Sequence, residues 1–315
     1  MITVQQQRGV VLVIVLWVIT LLTIMAGSFA YSLRIETALA SYGLDQARAR
    51  AMAEAGVAYA MLQVLNPPPE GEDVRWFTDG RVKRWRFGDA TLDIQVRDTS
   101  GRVDLNRGDR ELMRGLFTVV GGLDEQQADV LLDAVEDFRD SDDLTRLNGA
   151  ELSEYEAAGR DFGPKNALFE SVDELQQVLG VSPDFYQRVA PFLTVYSNQS
   201  GINPAVAAPE VLYALPDVDP LLIEQYLQLR EESIQQALPP PPAPNLGAHL
   251  SQAQGLAYDV GVTVNFESGT VAFVEATVTQ GRRADQVYHL LTWREGKSVM
   301  QSGANGLESP TDIPQ

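Results

Sequence analysis

From Val10 to Leu33 the chain carries no Asp, Glu, Lys or Arg, and that run limits the possible folds more than any other feature. A helix rises about 1.5 Å per residue, so the run reaches roughly 35 Å against a hydrocarbon core of about 30 Å. It can span a bilayer. Trp17, Leu21, Leu22 and Ile24 leave no polar stripe, and Thr20, Thr23 and Ser28 can bond back to carbonyls of their own helix. The competing reading is a cleaved secretory signal, with Ala26-Gly27-Ser28 and Ser28-Phe29-Ala30 as small-residue sites. The run exceeds the roughly 7 to 15 residues of a signal core, so length favours a retained anchor. Beyond Arg34-Ile35-Glu36, alanine recurs at 38, 40, 47, 49, 51, 53, 55, 58 and 60, and no proline intervenes before Pro67. One helix is expected from Val10 to Leu65, in lipid over its first half and amphipathic over its second.

Arg8-Gly9 closes a short hydrophilic leader directly before this helix. The arrangement resembles the class III signal of type IV pilins and type II secretion pseudopilins. The resemblance implies that a prepilin peptidase removes residues 1–9 after Gly9 and that the new amino terminus on Val10 is methylated. Val10 departs from the commoner Phe or Met at this position. In that family the fifth mature residue is usually Glu, held by a neighbouring subunit's terminal amine, because a lone carboxylate is costly in lipid. Here it is Ile14. Lack of that Glu and a large chain are features of the K-type minor pseudopilin.

Lys and Arg number 24 against 43 Asp and Glu, a net charge of −19. Such a surface repels nucleic acid and anionic headgroups and favours cation binding. With no cysteine there are no disulfides and no thiolate metal sites. Arg8 and Arg34 flank the apolar run almost symmetrically, so charge counting does not orient it. The pilin-like resemblance does, implying a single-pass inner-membrane protein with its C-terminal body in the periplasm.

Asn66-Pro67-Pro68-Pro69-Glu70-Gly71 stops the helix. Arg84–Phe87 and Thr91–Val96 alternate as strands around a Gly88-Asp89 turn. Asp98–Asn106 resembles the strand-to-insert junction of K-type pseudopilins. From Arg107 the apolar spacing turns helical, with helices expected over 111–119, 124–139, 172–179, 183–191, 207–215 and 220–236. Leu238-Pro239-Pro240-Pro241-Pro242-Ala243-Pro244 forces an extended connector. Strands return over 258–266, 270–279 and 286–293, with a turn at Glu267-Ser268-Gly269.

Strands on both sides of a helical block imply an α+β fold with an insertion. Its parts are a leader (1–9), an N-terminal helix (10–65), and the first part of a pilin-like antiparallel sheet domain (66–106). An inserted all-helical domain (107–238), a proline-rich connector (239–256), the rest of the sheet (257–296) and a polar disordered tail (297–315) follow. The helix-plus-sheet plan with such an insert is also what the K-type resemblance implies.

Val120-Gly121-Gly122-Leu123 is similar to a helix-hairpin-helix turn, which can hold DNA phosphates on backbone amides. Asp124, Glu125, Asp129, Asp133, Glu136 and Asp137 surround it, where phosphate contacts would need Lys and Arg. A packing turn is the favoured reading, and nucleic acid is not an expected partner. His249 and His289 lie far apart in a linker and a strand, and no nucleophile with a partner or Gly-Xaa-Ser-Xaa-Gly elbow is present. No enzyme activity is expected.

The sharpest chemistry lies in Asp137–Asp143 with Asn148-Gly149-Ala150-Glu151 and Glu154-Tyr155. Asp140, Asp142 and Glu151 fall at the first, third and twelfth places of a window suited to oxygen ligation of calcium. Leu144 and Thr145 occupy its fifth and sixth places, so it is no standard EF-hand. Crowded carboxylates repel unless spread into water or drawn around a cation, and a solvated acidic loop is the plainer alternative. The K-type subunit carries a similar acidic stretch, a Gly-Ala-Glu element and a downstream Pro-Lys-Asn, here Pro164-Lys165-Asn166. The resemblance implies structural calcium in the helical domain, with ligands drawn from Asp137, Asp140, Asp142, Asp143, Glu151 and Glu154.

The expectation is a non-enzymatic minor pseudopilin at the tip of a type II secretion pseudopilus, supporting its assembly and protein export across the outer membrane. Its expected partners, by resemblance, are the I- and J-type minor subunits, other pseudopilus subunits and the prepilin peptidase. A minor pilin of a type IV pilus is the first alternative, separable by the machinery that neighbouring genes encode. A membrane-anchored DNA-uptake receptor is the second, and it requires duplex binding at low salt.

Overall fold

The computed structural model describes residues 8–66, 76–251, 255–266, 271–281 and 287–296. The leader up to residue 7, the loop 67–75, the turn at 267–270 and the tail 297–315 lie outside the described residues. Helix α1, Arg8–Leu65, is continuous. Among the described residues its first half has no packing partner, leaving Val11 to Ile24 widely exposed. The hydroxyls of Thr20 and Thr23 donate to Leu16 O and Ile19 O, both at 2.8 Å, so the polar groups in the run are satisfied within the helix. In the second half Ala49, Ala53, Val57, Ala60 and Met61 are buried. Their three- and four-residue spacing puts them on one helical face.

That face lies on a five-stranded antiparallel sheet formed by β1 (Asp79–Phe87), β2 (Ala90–Asp98), β5 (Ala257–Phe266), β6 (Val271–Gln280) and β7 (Tyr288–Glu295), in the order β1-β2-β5-β6-β7. Leu92, Ile94 and Val96, then Val260, Val262 and Val264, then Val274, Ala276 and Val278 supply alternate residues to the core beneath α1. A side chain at Gly56 would stand 2.8 Å from Val262 and 2.9 Å from Leu92, so glycine sets how closely helix and sheet approach. Tyr59 stacks on Trp85, and Trp85 on Phe87, at centroid distances of 4.2 and 4.7 Å.

The central strands β2 and β5 are neighbours in space but distant in sequence, with Asp98 paired to Tyr258 at the end of the ladder. The whole insert leaves and re-enters the sheet there. It contains α2 (Arg110–Val119), α3 (Glu125–Arg139), α4 (Leu152–Ala157), α5 (Pro183–Val189), α6 (Pro209–Tyr213) and α7 (Pro220–Gln235) around a second core. It is not wholly helical. Val103–Asp104 (β3) and Leu193–Thr194 (β4) form a short parallel pair.

Several expected elements differ in kind or extent. Residues 172–177 form a 3-10 helix, because short three-residue spacing fits either helix type. The segment expected at 207–215 contracts to α6, started by Pro209. Helix α4 was not among the expected helices, being too short to show a period. Strand β1 begins at Asp79, ahead of the alternating Arg84–Phe87, with an irregularity in register between Asp79 and Val82. The proline-rich connector is laid against the body, for Arg81 donates to Leu238 O at 2.7 Å and Leu246 is fully buried in the insert core.

Candidate metal centre in the acidic loop

Helix α3 buries Ala128, Leu131, Leu132, Val135 and Phe138 in the insert core. This registers Asp133, Glu136, Asp137 and Asp140 at its C-terminal end. Carboxylates there oppose the helix dipole, so cations must compensate them. Arg110 of α2 reaches Asp133 at 2.7 Å and Glu136 at 2.8 Å. Those contacts, with Asn148 donating to Asp133 at 3.1 and 3.2 Å, hold Asp133 below the usual carboxylate range against the opposing effect of burial.

Arg146, from the loop between α3 and α4, reaches Glu136 Oε2 with Nε at 2.9 Å and bridges Asp137 and Asp140 with Nη1. Its backbone amide also donates to Asp137 Oδ2 at 3.1 Å. Although burial pulls the Arg146 pKa down, hydrogen bonds to Asp140 and Asp137 and nearby negative charge hold it above its ordinary value. The Gly-Ala-Glu element then closes over Asp137. A side chain at Gly149 would stand 1.8 Å from Asp137 Oδ2, so only glycine passes there. Ala150 and Glu151 follow it into the interior.

The six sequence-derived candidates occupy different surroundings. Asp137 is fully buried with both oxygens engaged by Arg146. Asp140 is divided, with Oδ2 on Arg146 and Oδ1 buried without a hydrogen-bond donor. Asp142 is exposed and accepts from Leu144 N at 3.0 Å in its own turn. Asp143 accepts from Asn166 Nδ2 at 2.9 Å. Glu151 is 5% exposed, and its Oε1 has no donor. Burial first, then the charges of Asp137, Asp140, Asp143 and Asp142, push Glu151 up to about 7. Glu154 turns to cap α4, accepting from Glu151 N at 2.9 Å and from Ser153 at 2.8 Å, and these bonds lower its pKa.

Two further residues join the site, Arg146 and Asn166. Asn166 has a left-handed backbone, φ 53°. Its backbone amide donates to Phe138 O at 3.0 Å, and its Oδ1, like Asp140 Oδ1 and Glu151 Oε1, is buried without a donor. Such oxygens are costly in a folded interior. An all-oxygen set of carboxylates and an amide carbonyl suits a hard cation such as calcium. Among the described residues no three His, Asp or Glu side chains stand close enough to share a metal in this arrangement.

The glycine turn at 120–123 joins α2 to α3. Its amides, from Val120 to Leu123, all donate to carbonyls of Leu116, Phe117 or Thr118. None remains for a phosphate, and Asp124 caps α3 through Gln127 N at 2.8 Å. At the other end of the molecule, Gly9 and Val10 lie within the first turns of α1, and Ile14 is 57% exposed on the apolar run. This is the one helix among the described residues long and apolar enough to cross a membrane.

Residues 96–198, the junction and first part of the insert with its acidic loop, match the family model for type II secretion system (T2SS), protein K. The type II secretion system protein K of Klebsiella pneumoniae is 29% identical over 251 residues, covering 71% of this chain and 76% of that protein. The chain is thus similar to type II secretion system protein K over most of its length. Its counterpart in Pseudomonas aeruginosa is 26% identical over 245 residues, covering 71% and 72%. A relative in Escherichia coli K12 has 63% of its length covered, at 22% identity. The fold matches a chain in the crystal structure of the GspK-GspI-GspJ complex from the enterotoxigenic Escherichia coli Type 2 Secretion System, with a TM-score of 0.56 and 16% identity. That match covers 81% of this chain and 98% of the other. The match to the family model falls on the β2-to-insert junction and the carboxylates around Arg146.

Proposed function

We propose that this chain is a type II secretion protein K, the minor pseudopilin at the tip of a type II pseudopilus, where it supports pseudopilus assembly and protein export across the outer membrane. The observation that carries the reading is one exposed apolar helix running into a sheet whose central strands β2 and β5 are separated by the helical insert. The helix packs beside other pseudopilin helices in the inner membrane. The bulky periplasmic head stops addition above it. Ile14 fits that place, since a subunit with none above it has no terminal amine to neutralise. The I- and J-type minor subunits are its partners, a reading supported by the fold shared with a chain of the GspK-GspI-GspJ complex. The prepilin peptidase cleaves after Gly9 and the new terminus on Val10 is methylated.

The acidic loop is where a structural calcium ion would sit, and binding would have to draw its carboxylates together, since among the described residues no three stand close enough to share a metal. The supporting observation is the three donorless buried oxygens on Asp140, Glu151 and Asn166. When bound, the ion neutralises these oxygens and joins the end of α3 to the start of α4 and to the segment around Asn166. A tag on the full chain, co-expressed with the I- and J-type subunits of its own system, recovers all three from detergent extracts. Recovery of the tagged chain alone sinks the tip assignment. For calcium, the detergent-purified chain melts at a higher temperature with the ion than with chelator, and an unchanged melting temperature removes calcium from the reading.

A further inference from the structure

We propose that Leu144 and Leu147 form the apolar centre of a docking surface for a protein whose own face carries an apolar pocket edged with lysine and arginine. Leu144 is 76% exposed and Leu147 96% exposed, and among the described residues neither belongs to or packs against either hydrophobic core. The loop that carries them is nonetheless fixed. Leu144 N donates to Asp142 Oδ1 at 3.0 Å, Arg146 N to Asp137 Oδ2 at 3.1 Å, and Gly149 N to Arg146 O at 3.1 Å. Asn148 donates to Asp133, and the Arg146 side chain holds Glu136, Asp137 and Asp140. All of these ties are polar, and none passes through a leucine side chain. The fold therefore displays the two leucines without using them, and an apolar group already held in place binds at a lower entropic cost than a mobile one.

Two more exposed apolar residues follow in the same stretch, Leu152 at the start of α4 and Phe162 beyond it. Single apolar residues are ordinary on a surface, whereas a group of them rimmed by charge marks an interaction site. Here the rim is acidic. Asp142, Glu156 and Asp161 are exposed, and residues 99–256 carry 26 Asp and Glu against 10 Lys and Arg. That excess selects the partner. A second copy of this chain would bring the same acidic excess to the interface, and like-charged faces repel. Nucleic acid and anionic lipid are repelled for the same reason. An apolar pocket with a basic rim satisfies both parts of the surface, with charge setting encounter and register and the leucines supplying the buried contact. The ties that fix the loop join protein groups alone, so the surface does not depend on calcium.

The test places the photoreactive residue p-benzoylphenylalanine at position 147 of the full chain in its native cells. Irradiation is expected to join the chain to one protein other than the I- and J-type subunits, through a segment that contains lysine or arginine. That protein, once purified, is titrated with the detergent-purified chain. Leu144→Gln combined with Leu147→Gln should weaken binding at least about tenfold, and so should Glu156→Lys combined with Asp161→Lys. The leucine variant should keep the native melting temperature within about 2 °C, because exposed side chains outside a core add little to stability. A larger fall means that the leucines support the fold, and it overturns the proposal. An adduct with an I- or J-type subunit or with a second copy places the leucines inside the pseudopilus and also overturns it. So does the absence of any adduct, or a captured protein that binds either variant as tightly as the native chain. Should the substitution at 147 prevent folding, position 144 takes its place under the same outcomes.

Discussion

Asp98 receives the amide of Gly255 at 3.0 Å on each of its carboxylate oxygens, and Oδ1 also receives the amide of Ser100 at 2.8 Å. The residue at which the chain leaves the sheet is thus tied to the residue at which it returns. Thr99 adds a hydroxyl bond to Ala257 O at 3.0 Å. The insert is therefore fastened across its own root. Asp98→Ala leaves two buried amides without an acceptor and should cost on the order of 3 kcal/mol in stability, read by thermal denaturation. A loss below about 0.5 kcal/mol would mean the root does not depend on this carboxylate.

Burial also holds Asp98 above the usual carboxylate range, outweighing its hydrogen bonds. The folded chain then binds this proton more readily than the unfolded chain. Stability from this group is complete below the ordinary carboxylate pKa and is lost as pH rises through the folded value. Asp98→Asn should flatten that part of the pH profile of the melting temperature. An unchanged profile in the asparagine variant would assign the slope to other groups.

Gly149 meets Asp137 so closely that a methyl group there would overlap the carboxylate at 1.8 Å. Gly149→Ala must displace either Asp137, with its Arg146 pair, or the loop, at a cost of about 2 kcal/mol. Denaturant unfolding of the full chain in detergent measures it. Retention of native stability would show that the loop shifts freely.

Much of this was legible beforehand, for physical reasons. The apolar run, the alternation of Leu92, Ile94 and Val96, and the return of strands near Tyr258 all follow from side-chain period. Helix α4 and the β3–β4 pair fell below the length at which a period exists. The acidic loop was visible as a cluster of like charges, yet Arg146 was not, because a lone arginine among acids reads as a solvated counter-charge. Asn166 stood within the quoted Pro-Lys-Asn element, but its left-handed backbone and donorless carbonyl are tertiary facts. Glu154 entered the ligand set through the family resemblance rather than by spacing, and the structure uses it as a cap for α4.

Glu151 allows a test by sign. At pH 8, above its folded pKa of about 7, the residue is charged and buried, with Oε1 lacking a donor. Without a divalent ion, Glu151→Gln should therefore raise stability, by about 2 kcal/mol as the pKa displacement suggests. With saturating calcium the proposed ligand role makes the opposite demand, that the same substitution lower the melting temperature relative to the native chain. The two differences must have opposite signs. A variant more stable than the native chain under both conditions would leave Glu151 an unpartnered acid and no ligand.

The amino terminus distinguishes an assembled subunit from an exported one. Helix α1 runs unbroken from Arg8 through the apolar run to the alanine-rich face on the sheet. Removal after Gly9 keeps the whole membrane span attached to that face. Cleavage at either small-residue site would begin the chain near Phe29 or Tyr31 and discard most of the anchor, leaving a helix too short to cross a bilayer. Intact-mass measurement of the membrane-extracted protein should find a chain that starts at Val10 with one added methyl group. A start at Val10 without the methyl group retains peptidase processing and removes the modification. A start at Phe29 or Tyr31 removes the protein from the pseudopilus, because no span would remain to pack beside its neighbours.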